Sequence, residues 1–408
     1  MSIFAQSGFG RGGKIERGYE EGCISGVILS PRDERRERLE SDVAKWATEL
    51  AELKILFDPQ FYVTTLNTPK DGHLEEYAYY SNNMHLGRAS FSGSNVRDYV
   101  SNSIDYQHEG LGGQLAGIIG PSVLFDDFRD NWSQISLTMA VESTDYVKNK
   151  SIPAPVYPSI VVSDVAFRSV NLIEEFLDSL TEIQADGFYL VVKNNSQSRP
   201  FFYENNILAN IMYFIYVLSV INEYEVIVGY CDWFGVLYEA VGANLIGSGW
   251  YQNLKLFSLD RFLPSRGGRR PRKRYSSLPM VSSPLFSPEL QDIYYAGFLD
   301  EVLTGSIHDH IVVNHGGTGP ASTEEEWTDE IACLAHWHSL SKFSLQLEDE
   351  IDTSKKVEIT RKILATSLGL YQAIISSGVS IDNSTGPNHI ESFLSAISEF
   401  KNISGVSR

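Results

Sequence analysis

Cysteine is scarce in this sequence. Cys23, Cys231 and Cys333 are its only three, too few and too scattered for a disulfide framework or for a zinc site of paired Cys-x-x-Cys motifs. That usage suits a reducing compartment. Long apolar runs are missing too. The most apolar stretch, 207-ILANIMYFIYVLSVI-221, is interrupted by Asn210 and falls short of the ~20 residues needed to span a bilayer. The N-terminal MSIFAQSGFGRGGKIERGYEEG has no apolar core of a secretory signal, so a cytoplasmic protein without membrane contact is expected. Positive charge is outnumbered, 33 Lys and Arg against 52 Asp and Glu, a net charge of −19. This balance argues against indiscriminate adhesion to nucleic acid or acidic membranes, but not against one local basic patch. A dinucleotide fingerprint is also absent, because Gly8, Gly10 and Gly12 precede the first β-branched run instead of following it.

What the chain does contain is a large apolar complement, 43% of its residues, including 21 Tyr and 21 Phe. That is enough for a substantial core. Short β-branched runs alternate with longer helical patterns. The runs are 24-ISGVILS-30, 54-KILFDP-59, 115-LAGIIGPS-122, 156-VYPSIVVS-163, 187-GFYLVVKN-194, 225-EVIVGY-230, 244-NLIGSG-249 and 275-YSSLPMVSS-283. The last contains Pro279, which removes a ladder donor. The clearest helix is 33–53, where Leu39, Val43, Trp46, Leu50 and Leu53 recur every three or four residues behind Asp33 as N-cap.

Apolar strands, each followed by a helix, indicate a parallel sheet buried on both faces. Eight such units predict an α/β fold, a (β/α)8 TIM-like barrel over residues 23–305. Residues 1–22 read as an irregular segment, 63–110 as a loop insertion, and 306–408 as a loop plus helical C-terminal extension. An open doubly wound sheet is the alternative.

In a barrel, the strand C-terminal ends converge on the face that holds the site. Here Asp58 and Asp232 stand at the tips of the second and sixth runs, where they would share nucleophile and acid/base work. Around them, Arg32, Gln60, Tyr62, Ser122, Lys193, Tyr230, Trp233, Ser248, Trp250, Gln252 and Asn253 form a polar and aromatic collection suited to binding a substrate ring. Structural roles compete with this reading. Asp58 precedes Pro59 and can shape its turn, Asp232 can cap a helix, and Ser, Asn and Asp are common in strand-to-helix turns.

The run 266-RGGRRPRKR-274 concentrates Arg266, Arg269, Arg270, Arg272, Lys273 and Arg274 in nine positions of an acidic chain. In (β/α)8 enzymes the loops after strands seven and eight often hold phosphate, and dense arginine gives bidentate contacts to it. An anionic ligand is therefore expected here, either nucleic acid or a phosphorylated small molecule. The competing reading pairs this loop with the acidic 324-EEEWTDE-330. His308 and His310 read as loop histidines and His336 and His338 as structural, so neither a metal nor a cofactor is implied.

Three stretches together resemble the tRNA-guanine transglycosylase-like barrels, which exchange a purine base in nucleic acid. The segment 58-DPQFY-62 keeps that family's aspartate and a following aromatic, and 186-DGFYLVV-192 and 226-VIVGYCDWFGVLYEAVGANLIGSGW-250 echo its later strands. The chain departs from the family in holding no aspartate near Gly247 and Ser248 and in lacking its Cys-rich zinc motif. The resemblance implies a nucleobase-bearing substrate. The expected function is an enzyme of glycosyl transfer or hydrolysis on a nucleotide-like or nucleic-acid substrate. The rival is a non-catalytic barrel subunit that binds a protein partner through its C-terminal helices, around Trp327 and Trp337.

Overall fold

A computed structural model describes residues 2–67, 69–70, 72–195, 203–263 and 271–406. Its strands are β1 (Ile3–Gln6), β2 (Gly26–Leu29), β3 (Lys54–Phe57), β4 (Ile118–Gly120), β5 (Leu124–Phe125), β6 (Val156–Ser163), β7 (Gly187–Lys193), β8 (Glu225–Val228) and β9 (Leu245–Ser248). All pair in parallel, in the order β3-β2-β1-β9-β8-β7-β6-β4, with β5 beside the second half of β6. The ends of this order meet where the Ala116 amide donates to the Ile55 carbonyl at 2.9 Å. The result is a nearly closed TIM-like barrel with helices between its strands and further helices at the C-terminal end.

Seven of the runs named above contribute barrel strands. The third supplies β4, and β5 follows just beyond its end, beside the second half of β6. The eighth run is a correction. Residues 275–283 form a tight antiparallel turn, bridged at Ser277 and Ser282, and not a barrel strand. The missing strand is β1, inside the segment expected to be irregular. It pairs Phe4 with Gly247 on one side and with Gly26 on the other. Four residues carry too little periodicity to be read locally, and β1 is defined by its two neighbours.

The insertion at 63–110 is packed. It holds helix Asn95–Asp105 and a ring cluster in which Tyr77 and Tyr106 lie 5.0 Å apart, both against Phe57. The extension also packs closely. Helix Asp329–Leu345 is buried along most of its length, and helix Asn388–Ser404 lies on the apolar helix Asn205–Tyr216. Trp327 and Trp337 are core residues, donating to the carbonyls of Arg274 (2.9 Å) and Ser248 (2.7 Å). The expected docking surface around them is therefore not formed by their side chains. Among the described residues no helix is long and apolar enough to cross a membrane.

Candidate functional site

The strand C-terminal ends lead to two different environments. The first is a sealed polar knot over the barrel centre. Asp58 is 1% exposed. Its Oδ1 accepts from the Gln60 amide at 3.0 Å, and its Oδ2 faces three phenols, Tyr62 at 3.1 Å and Tyr189 and Tyr230 at 3.4 Å. The Tyr230 hydroxyl accepts from Arg261 (3.0 Å) and Gln60 (3.3 Å). Arg261 itself pairs with Asp33 and donates to Ser30 at 2.9 Å.

Gln60 and Tyr230 hold left-handed backbones, φ 53° and 59°, an arrangement that costs roughly 1–3 kcal/mol each unless its surroundings impose it. Gly229 is required for a different reason, since a side-chain carbon there would collide with the Tyr189 hydroxyl. Burial raises the Asp58 carboxyl to about 6, against the hydrogen bonds that favour its charged form. For Asp33 burial works in the same direction, but the guanidiniums of Arg261 and Arg32 outweigh it and leave that carboxyl below its ordinary value.

The second environment is an open cleft of about 490 Å³ on the rim beyond β8 and β9. It is lined by Asp232 and Trp233 after β8, Trp250 to Asn253 and Lys255 after β9, and Pro271 to Arg274 from the basic run. Ser276, Ser282 and Ser283 of the turn, the start of helix Asp329–Leu345, and Ser384 and His389 complete it.

Of the residues expected to act together, the structure gathers Asp232, Trp233, Trp250, Gln252, Asn253, Arg272, Lys273 and Arg274 at this cleft. Asp58, Gln60, Tyr62 and Tyr230 belong to the sealed knot. Arg32 is engaged by Asp33 and the Lys70 carbonyl, Ser122 by Ser136, and Lys193 by Asp126. Ser248 lies under the cleft, bonded to His336 at 3.2 Å. Arg266, Arg269 and Arg270 lie outside the described residues. The two expected carboxylates thus stand in different surroundings, Asp58 buried among Gln60, Tyr62, Tyr189 and Tyr230, and Asp232 on the wall of the cleft.

The basic run meets the acidic segment through backbone, with Lys273 donating to the carbonyls of Glu324 (2.5 Å) and Glu325. Arg274 donates to Ser384 (2.7 Å) and to the Ser283 carbonyl, and Arg272 pairs with Asp382 at 3.3 Å. His308 bonds Glu21 and His310 the Ile307 carbonyl. Among the described residues no group of three or more His, Cys, Asp or Glu is placed to hold a metal ion.

Sequence reasoning missed Lys255, Tyr251, Ser276 and Asp329. The first two were within reach, since they interleave with Trp250, Gln252 and Asn253. The others come from the turn and the extension and carry no local signal. Burial pushes the His336 imidazole well below its ordinary range, and Lys255 adds to this. The ring is therefore neutral, and its 3.7 Å approach to Asp232 is not an ion pair at rest. No family model matches this chain, and no curated protein sequence matches it.

Proposed function

We propose that the protein is an enzyme of nucleotide-like, phosphate-bearing substrates, working in the rim cleft by glycosyl transfer or hydrolysis with Asp232 as its acid/base carboxylate. The observation that carries this reading is the composition of the cleft. Lys255, Arg272, Lys273 and Arg274 gather there beside the rings of Trp233, Trp250 and Tyr251, in a chain whose net charge is −19. Cations recognise phosphate and rings stack on a base. The volume falls within the ~300–1,000 Å³ of small-molecule sites. A mononucleotide-sized ligand suits this volume and charge better than a polymer does. The resemblance to transglycosylases makes the N-glycosidic bond the first to test, with Asp232 at the tip of β8 in place of the absent aspartate near Gly247.

Intrinsic fluorescence tests the binding, because Trp233 and Trp250 line the cleft. Titration with ADP, AMP, ribose 5-phosphate and adenosine should give a response that strengthens with phosphate count. Lys255→Ser with Arg272→Ser should weaken ADP by roughly tenfold or more, the worth of about one charge-assisted bond. No response to any of the four at millimolar concentration sinks the proposal.

A further inference from the structure

A serine of the cleft is set up as a nucleophile. Ser276 lines the cleft, and its Oγ lies 3.0 Å from Nδ1 of His336. At the other ring nitrogen, Nε2, stand Ser248 Oγ at 3.2 Å and Asp232 Oδ1 at 3.7 Å. That Asp232 oxygen is buried and, among the described residues, makes no hydrogen bond. We infer that Ser276, His336 and Asp232 form a nucleophile, base and orienting-carboxylate set that cleaves phosphoesters through a phosphoseryl intermediate. The inference rests on the reading above only for its anionic, phosphate-bearing substrate; it names a different bond, supplies a nucleophile and gives Asp232 the orienting role in place of the acid/base one.

The surroundings hold this set in place. Thr304 and Ser339 hydroxyls donate to the Ser276 carbonyl at 2.9 and 3.0 Å, so the backbone that carries the nucleophile is pinned. Trp233 meets the imidazole edge-on, with centroids 5.7 Å apart and planes at 88°, and is itself anchored by its Nε1 donating to Ser283. With the ring proton on Nε2, facing Ser248 and Asp232, Nδ1 is free to accept the Ser276 proton. A neutral imidazole is the form a base requires. Once it takes the proton, its contact with Asp232 becomes an ion pair, and the waiting carboxylate oxygen gains a partner. This is the logic of hydrolytic triads that recur on unrelated folds, recognised by geometry and roles and not by chain order.

The chemistry balances with water as the only co-reactant. Ser276 Oγ forms a bond to phosphorus as the ester P–O bond breaks. The hydroxyl proton passes to His336 Nδ1 and then to the departing alkoxide. Water next attacks phosphorus, its proton moves to His336, and the P–Oγ bond breaks to return the serine hydroxyl. Lys255, Arg272 and Lys273 on the cleft wall would neutralise the phosphoryl oxygens.

The test is covalent labelling of the full chain with a fluorophosphonate, in which fluoride replaces the departing alkoxide, followed by peptide mass spectrometry. The expected result is one adduct on Ser276. It should be lost in Ser276→Ala and form at least roughly tenfold more slowly in Asp232→Asn, with both variants melting cooperatively. Absence of an adduct on Ser276 in the wild-type protein, or an unchanged rate in Asp232→Asn, overturns the inference without depending on how any variant folds. ADP titration in parallel separates the two readings. Binding without an adduct removes the nucleophile alone, whereas an adduct on a protein that ignores nucleotides keeps the nucleophile and removes the nucleotide.

Discussion

Ionising Asp58 means placing a charge where water does not reach, and this makes its titration a property of the fold. Its carboxyl rises from 3.8 to about 6. A raised folded value favours the protonated native state, so the contribution is complete below pH 4 and is lost as pH climbs through 6. The shift corresponds to roughly 3 kcal/mol. Denaturant unfolding of wild type and Asp58→Asn across pH 4–7 should show the wild type losing about that much relative to the variant. A difference that stays level with pH would falsify the assignment. Arg261 is the complementary case. Removing it leaves Asp33 buried without its main partner, so Arg261→Met should cost roughly 3–5 kcal/mol by urea midpoint, with Asp33→Asn restoring part of the loss.

At the scale of elements, β1 is the most consequential four residues in the chain. Ala5 pairs with Val27 on one side and Ser248 on the other. Ala5→Pro should therefore cost about 3 kcal/mol or more, whereas the native Pro279 is accommodated in the 275–283 turn. Circular dichroism melts compare the variant with wild type, and an unchanged midpoint would remove β1 from the barrel. Helix Asn388–Ser404 covers helix Asn205–Tyr216, whose buried face includes Ile207, Leu208, Ile211, Met212, Phe214 and Ile215. Ending the chain after Gly386 should expose that face and raise binding of an apolar dye severalfold. Periodicity exposed these long elements because Leu39, Val43 and Trp46 repeat at helical spacing, and Val156–Ser163 reads as a strand by itself. The short ones, IFAQ and the turn at 275–283, share composition and differ only in what lies beside them.

The molecule as a whole is acidic, with a net charge of −19, and four of its cations, Lys255, Arg272, Lys273 and Arg274, line one rim cleft. Short-range attraction in the cleft is therefore set against a repulsive surrounding field. Screening lengths fall from about 30 Å at 0.01 M salt to about 8 Å at 0.15 M. Nucleotide binding should weaken severalfold over a salt titration, while a long oligonucleotide, laid across the acidic surface, should bind more weakly than ADP at every salt concentration. Fluorescence titration with both ligands checks this, and a tighter oligonucleotide would shift the substrate reading to polymers. The candidate site was legible at strand tips, in Asp232, Trp233, Trp250, Gln252 and Asn253, and in the dense run 272-RKR-274. His336 and Asp329 join it from a distant part of the chain, and Ser276, two residues beyond Arg274, is brought in by a turn that its own sequence does not announce.

The sequence by itself determined the class of fold, because alternation between buried strands and amphipathic helices is a local property that each segment expresses alone. It also determined which residues stand at strand tips, because that position follows from where an apolar run ends. Tertiary structure decided which tips face solvent. Asp58 and Asp232 both stand at strand tips, yet Tyr62, Tyr189, Tyr230 and Arg261 gather over one, while the 275–283 turn and the start of helix Asp329–Leu345 build an open cleft beside the other. Burial depends on what the rest of the chain lays over a residue, and burial is what separates a structural carboxylate from one that can meet a substrate.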